Sequence, residues 1–313
     1  MIKNFLSLHD FSVYQFSKIL DLIHYVKNHP KHFKKSLENK TLAMIFQKPS
    51  FQTRISLELA MQQLGCKANY LGSLDIQNFN GEIPYDARKN LENMVDGIIV
   101  KSFPHKNVTA FAKACTLPVF NSSTDLFYPC RALADIFTLK EKNLSLSNIT
   151  IACIGYGNNV CHSLLFASAK AGIKVVLATP PGYEPSPEVV HQAEEDGKET
   201  EFSLCITTDP LEAVKRADVL YFTGIYQEKQ KEIEEEISSS YRLSSDLLAK
   251  SRPNTLIMNE GATCLEKNFS LKAMDPSQLL ISEQAENLLH TQKFIMLLLL
   301  ERKWIKKTKI QKS

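Results

Sequence analysis

One recurrence constrains this chain more than any other feature. Short apolar runs of strand length return along it, each followed by a polar turn or a segment with helical spacing. The first is Lys40-Thr41-Leu42-Ala43-Met44-Ile45-Phe46, followed by a turn at Pro49-Ser50 and helical periodicity from Ile55 to Leu64. It returns at Gly97-Ile98-Ile99-Val100, Leu117-Pro118-Val119-Phe120 and Ile149-Thr150-Ile151-Ala152-Cys153-Ile154-Gly155. A second cycle follows at Lys174-Val175-Val176-Leu177-Ala178, Val219-Leu220-Tyr221-Phe222 and Thr255-Leu256-Ile257-Met258. Strands apolar on both faces belong in sheets covered on both sides, so the chain is expected to be α/β with parallel sheets between helices. Ahead of the first run, Ser12 and Gln15 have the spacing of a capping box, and Val13, Phe16, Ile19, Leu20 and Ile23 recur at helical intervals.

With 313 residues, the chain is long enough for about two domains, and the polar, turn-rich stretch from Lys140 to Ser147 marks the boundary between them. The longest uninterrupted apolar run, Phe294 to Leu300, is far shorter than the roughly 18 to 20 residues of a membrane-spanning helix. The first ten residues lack the long apolar core and small-residue cleavage site of a secretory signal, so a cytoplasmic protein with no membrane partner is expected. Cysteines 66, 115, 130, 153, 161, 205 and 264 are odd in number and form no CxxC pair, suggesting neither a disulfide framework nor a metal site. Net charge is +3, but residues 301–313 hold six Lys/Arg against one Glu, so the rest of the chain is slightly acidic and no nucleic-acid partner is expected. The charged run Glu228 to Glu236 reads as an exposed helix face or loop.

Two segments carry chemistry. In Lys48-Pro49-Ser50-Phe51-Gln52-Thr53-Arg54, hydroxyls, backbone N–H groups and a guanidinium converge where a strand passes into a helix. The helix dipole is positive there, which suits an anion; the alternative is ordinary capping by Ser50 or Thr53 beside a surface arginine. Gly155-Tyr156-Gly157-Asn158-Asn159 follows a strand and contains a GxG, but Val160 stands at the third glycine position of a dinucleotide fingerprint, so a nicotinamide cofactor is not supported.

Several separated segments together resemble the aspartate/ornithine carbamoyltransferase family, most closely its ornithine branch. Phe5-Leu6-Ser7-Leu8-His9-Asp10-Phe11 resembles the family's opening segment, and Lys48 to Glu58 its SxRTR phosphate loop with the following SFE. Gly81-Glu82 with Asp86 resembles GExxxD, Tyr128-Pro129-Cys130-Arg131-Ala132-Leu133-Ala134-Asp135 resembles HPCQALAD, Gly155 to Ser163 resembles GDGNNxxHS, and Glu283 to Asn287 resembles the QAEN segment. The resemblance implies two doubly wound parallel-sheet domains joined by two linking helices. Residues 1–146, completed by a C-terminal helix at 283–313, would bind carbamoyl phosphate, and residues 147–282 the amino acid. It implies no metal or organic cofactor and a homotrimer with sites between subunits. The reaction implied is attack of a neutral amine on the carbamoyl carbon with release of phosphate, which needs cations and N–H donors around the phosphate and a clamp that aims the amine.

Departures from the family pattern are concentrated at the site. Ser50, Thr53 and Arg54 match the phosphate loop, but Gln52 replaces an arginine, Lys101 replaces another, and Leu288 stands for the arginine expected after Asn287. The His and Gln of HPCQ are Tyr128 and Arg131, so Tyr128 is expected to donate to the carbamoyl oxygen and Arg131 to restore charge. By the same resemblance, Arg54, Lys101, Tyr128 and Arg131 carry the catalytic roles, and Ser50, Phe51, Gln52 and Thr53 join them around carbamoyl phosphate. On the amino-acid side Asn159 matches, whereas Phe222-Thr223-Gly224-Ile225-Tyr226-Gln227 replaces the Asp and SMG elements, and Asn259-Glu260-Gly261-Ala262 aligns with the HCLP loop. Asn159, Thr223, Asn259 and Glu260 are the amino-acid contacts this leaves; the Arg and Gln of the aspartate branch align with Gly224 and Tyr226. Two functions follow: carbamoyl transfer to ornithine or an ornithine-like amino acid, or an impaired or repurposed family member that binds a phosphorylated metabolite or a protein partner.

Overall fold

The computed structural model describes residues 2–75, 83–224, 240–260 and 275–301. The expectations placed on Gly81-Glu82, Ile225 to Gln227, Glu228 to Glu236, Gly261-Ala262, Cys264 and the basic tail lie outside these residues. The chain forms two compact units, Met1–Phe137 with Glu286–Ser313, and Thr138–Ala285.

The first unit opens with helix α1 (Val13–Asn28), whose capping box is complete: the Ser12 hydroxyl accepts from Gln15 N–H, and the Gln15 side chain accepts from Ser12 N–H. A short α2 (Pro30–Phe33) leads to β1 (Thr41–Phe46), then α3 (Phe51–Leu64), β2 (Lys67–Leu71), α4 (Tyr85–Met94), β3 (Gly97–Phe103), α5 (His105–Ala114), β4 (Val119–Thr124) and α6 (Pro129–Glu141). The strands pair in the order β2-β1-β3-β4, all parallel. Helix α3 starts four residues earlier than its apolar periodicity indicates. It ends at Gly65, whose left-handed φ of 80° supplies the turn. Ala43, Ile45, Ile98, Val100, Phe103, Val108 and Phe111 build one buried cluster of this unit.

The second unit runs β5 (Thr150–Ile154), α7 (Asn159–Ala171), β6 (Lys174–Ala178), α8 (Pro187–Asp196), β7 (Ser203–Thr207), α9 (Pro210–Val214), β8 (Val219–Phe222), α10 (Ser245–Lys250) and β9 (Leu256–Asn259). Its five parallel strands order β7-β6-β5-β8-β9. Helix α11 (Ile281–Leu300) follows, and the chain passes between the units inside α6 and α11.

Strands β2 and β7 have no counterpart among the apolar runs. Both are edge strands with largely exposed side chains, so neither needs the continuous apolar signature of a central strand. In each sheet the chain turns back on its strand order at one place, between β1 and β3 in the first and between β5 and β8 in the second. The carboxyl ends of strands at such reversals form the crevices where open α/β sheets bind ligands. Among the described residues, no helix is long and apolar enough to cross a membrane.

Candidate active site

The loop from β1 to α3 opens at the first reversal. Ser50 occupies the N-cap position of α3 with extended backbone, yet its side chain makes no bond to the helix N–H groups. Its hydroxyl instead donates to Thr53 Oγ1 at 2.9 Å. The first intrahelical bond that closes is Arg54 N–H to the Ser50 carbonyl, so the N–H groups of Phe51, Gln52 and Thr53 have no partner within the helix. Aligned donors at the positive end of a 14-residue helix form an anion seat. Arg54 stands beside it, exposed, with its guanidinium carbon 3.9 Å from the Tyr70 ring centroid and Nε 2.8 Å from Glu58 Oε1. Stacking and the ion pair hold the planar group in one orientation while leaving its other donors available. Phe51 and Gln52 are exposed on the same turn, and Thr53 is buried.

Lys101 lies on the neighbouring strand, beside the loop that leads to this seat. It pairs with Phe46, the last residue of β1, and its carbonyl accepts Gln47 N–H at 3.1 Å, so it borders the loop directly. The register of β3 against β4 shifts on both sides of Lys101, and Ser102 has a φ of 67°, rare for a residue with a Cβ. Such a bulge re-aims side chains at the strand end. The Lys101 ammonium lies 5.1 Å from the Tyr128 ring centroid, a cation–π contact that brings Tyr128 to the same strand ends.

Arg131, in the first turn of α6, is placed differently. Its Nε bonds Asp135 Oδ2 at 3.0 Å, and the Asp135 side chain is 1% exposed, so the guanidinium neutralises a buried carboxylate. Burial pushes the neighbouring Cys130 thiol up to about 12, which keeps it protonated.

At the second reversal, the ends of β5, β8 and β9 are tied together. Asn158 caps α7, its Oδ1 accepting from Val160 N–H and Cys161 N–H, each at 3.0 Å. Its amide nitrogen donates to Glu260 Oε2 at 2.9 Å, and the same oxygen accepts Gly224 N–H at 2.7 Å. Asn159 is the first residue of α7. Thr223 is fully buried, its hydroxyl 3.0 Å from the Tyr156 carbonyl and 3.4 Å from that of Ile154. The Asn259 main chain pairs with the Gln284 side chain, which accepts from its N–H at 3.1 Å and donates to its carbonyl at 3.2 Å.

The glycines of the GxG serve these packings. A Cβ on Gly155, whose φ is 128°, would lie 2.4 Å from Thr223 Oγ1, and one on Gly157 would lie 2.1 Å from Pro185 N. The close approach goes to the protein's own atoms, the Thr223 side chain for one glycine and the Pro185 backbone for the other. Among the described residues, no group of three or more His, Cys, Asp or Glu side chains is placed to hold a metal ion.

Two contributors escaped sequence reasoning. Tyr70 lies on β2, and its alternate position with Ala68 in Lys67-Ala68-Asn69-Tyr70-Leu71 was the one available hint. Asn158 was visible as an N-cap type between Gly157 and the helix, but its second bond, to a residue 102 positions away, has no local signal.

Two family models together match nearly the whole chain. Residues 3–141 match the carbamoyl-phosphate-binding domain of aspartate/ornithine carbamoyltransferases, and residues 147–299 match the Asp/Orn-binding domain. An ornithine carbamoyltransferase of Thermococcus kodakarensis is 38% identical over 303 residues, 95% of this chain and 96% of that protein. An anabolic ornithine carbamoyltransferase of Pyrococcus furiosus is 39% identical over 267 residues, 84% of this chain and 85% of that protein. The solved structure of an ornithine carbamoyltransferase from Pyrococcus furiosus matches with a TM-score of 0.88 at 36% identity, covering 96% of this chain and 97% of the other.

Proposed function

Because this chain belongs to the aspartate/ornithine carbamoyltransferase family, we propose that it transfers the carbamoyl group of carbamoyl phosphate to the amine of ornithine or an ornithine-like amino acid. The products are a citrulline-type ureido acid and phosphate. The observation that carries this reading is the uncapped start of α3 beside Arg54 and Lys101.

The first domain, residues 1–146 completed by 283–313, holds carbamoyl phosphate. The phosphate takes the N–H groups of Phe51, Gln52 and Thr53 and the hydroxyl of Thr53, whose oxygen Ser50 steadies by donating its own hydroxyl to it. Arg54 and Lys101 neutralise the charge that grows on it as the bond to the carbamoyl carbon breaks. Tyr128 donates to the carbamoyl oxygen, where negative charge develops when the amine attacks. Arg131 is paired with Asp135, so it offers its remaining N–H donors rather than the net positive charge missing at Gln52. Gln52 offers an amide where a guanidinium would make a bidentate contact, so leaving-group stabilisation rests more heavily on Arg54 and Lys101.

The second domain, residues 147–282, holds the amino acid. Glu260 offers a carboxylate to its cationic α-amino group, Asn159 and Asn259 offer amides, and Thr223 fixes the end of β8 from beneath. The attacking amine must be neutral, so the rate rises with pH as that amine loses its proton.

The chain works as a homotrimer. Phe51, 78% exposed, and the exposed Ile55 and Leu59 form a stripe at four-residue spacing on the outer face of α3, apolar surface that association would cover. The six described cysteines are free thiols, which suits the cytoplasm.

The test is product formation by purified protein with carbamoyl phosphate and ornithine, N-acetylornithine, putrescine, lysine or aspartate, ureido products being identified by mass. Ornithine or a near analogue is expected to give product. Folded protein that yields none with any amine would overturn the reading in favour of a family member that retains only ligand binding. Light scattering on the same sample tests the trimer.

A further inference from the structure

Helix α3 is gripped by α11 through a polar seam where apolar packing would be cheaper. Gln292 is fully buried and donates from Nε2 to Ser56 Oγ at 3.0 Å. Ser56 in turn donates to the Thr53 carbonyl at 3.1 Å. A serine hydroxyl has one proton, and here it is spent on Thr53, so Oγ must accept from Gln292 and the orientation of the amide is determined. At the other end of α3, Lys293, 2% exposed, donates to Gln63 Oε1 at 3.0 Å. The seam is not assembled for its own satisfaction: Gln292 Oε1 and Thr291 Oγ1 are buried and accept nothing among the described residues. Leaving such atoms unbonded costs stability that an apolar residue would not.

These bonds link α11 to the anion seat, meeting at Thr53. Gln292 reaches Ser56, Ser56 reaches the main chain of Thr53, and Thr53 Oγ1 takes the Ser50 hydroxyl. We infer that Gln292 is a positioning residue for phosphate binding, setting through Ser56 the orientation of the first turn of α3. Its role rests on the reading of Ser50 to Arg54 as the phosphate seat. A first turn without a side-chain cap on its N–H groups is held locally through the Ser50–Thr53 hydroxyl bond, and the tether from α11 adds a hold on its main chain. The tether acts on the ligand held by the first unit and leaves recognition of the amine untouched.

Ser56→Ala and Gln292→Leu separate this from a general packing role. Each is expected to raise the carbamoyl-phosphate KM about fivefold while the amine KM stays within about twofold, with the double variant no worse than the weaker single. Lys293→Met cuts the far end of the seam and is expected to change the carbamoyl-phosphate KM by less than about twofold. Equal rises in both KM values, additive effects of the two variants, or an unchanged carbamoyl-phosphate KM would each overturn the inference. Hydrogen exchange over residues 50–58 gives a reading independent of turnover. Inorganic phosphate is expected to slow exchange there in the wild type and to do so less in either tether variant. Equal protection in variants and wild type overturns the tether; no protection in the wild type overturns the phosphate seat itself.

Discussion

Helices α3 and α7 begin at equivalent places, each following a strand at the point where its sheet reverses order, and they use their first turns in opposite ways. Among the described residues, the start of α3 takes no side-chain cap and leaves its first N–H groups without a helical partner, with Arg54 in its first turn and Lys101 on the strand end that borders the loop. The start of α7 is capped by Asn158, which also holds Glu260, and Glu260 holds Gly224. One βα junction is thereby electropositive and open, and the other is closed and presents a carboxylate. Under the proposed function, this difference sorts substrates by charge, a phosphate to the first and a cationic amino group to the second. It comes from single residues: a serine that turns its hydroxyl to Thr53, and an asparagine that turns its oxygen to the helix.

The largest effect is expected where the open junction meets charge. Arg54→Ala should lower kcat/KM for carbamoyl phosphate by about a hundred- to a thousandfold, and steady-state kinetics with that substrate varied would check it. A change below threefold would put the phosphate elsewhere.

Exchanging the two N-cap residues for alanine sharpens the contrast itself. Asn158→Ala should cost about 1 to 2 kcal/mol of stability in chemical denaturation. Ser50→Ala should cost less than about 0.5 kcal/mol and act on carbamoyl-phosphate KM instead. Equal stability losses would mean that α3 is capped after all.

Glu260→Gln keeps an oxygen for Gly224 and Asn158 but removes the charge, so a rise of about tenfold in amine KM with little change in melting temperature is expected. An unmoved amine KM removes Glu260 from recognition.

The smallest effect belongs to His105 at the start of α5, whose Nδ1 lies 3.1 Å from Thr124 Oγ1 and whose backbone N–H donates to Asp125. Burial holds its imidazole below the usual histidine value, with the Asp125 charge partly opposing. The unfolded chain therefore binds this proton at higher pH than the folded one. The stability tied to neutral His105 is complete above about pH 6.5 and declines as pH falls through the lowered folded value. His105→Asn should flatten that acid slope by less than about 1 kcal/mol in denaturation series between pH 4 and 7.

Central strands and helix starts were legible because they answer to local rules. Thr41–Phe46, Thr150–Ile154 and Val219–Phe222 are buried on both faces and so read as unbroken apolar runs, and the Ser12 capping box is contained in four residues. Lys67–Leu71 and Ser203–Thr207 were not, because an edge strand is defined by its neighbour's hydrogen bonds and carries no obligatory pattern of its own. The site divides likewise. Ser50, Thr53 and Arg54 stand together in sequence, whereas the stacking of Tyr70 on Arg54, the turn of Arg131 toward Asp135 and the bond from Asn158 to Glu260 depend on side-chain placement that spacing alone does not give.

Helix α11 carries a consequence for synthesis. Phe294, Ile295, Met296 and Leu297 are buried to within 1% and belong to the unit that begins at the other end of the chain. A ribosome delivers that core material after every described strand of both sheets. The second unit, continuous from Thr138 to Ala285, has all its strands in hand while the first is still missing one wall. The order of completion therefore runs against the order of translation, and the nascent first unit exposes the apolar surface that α11 later covers.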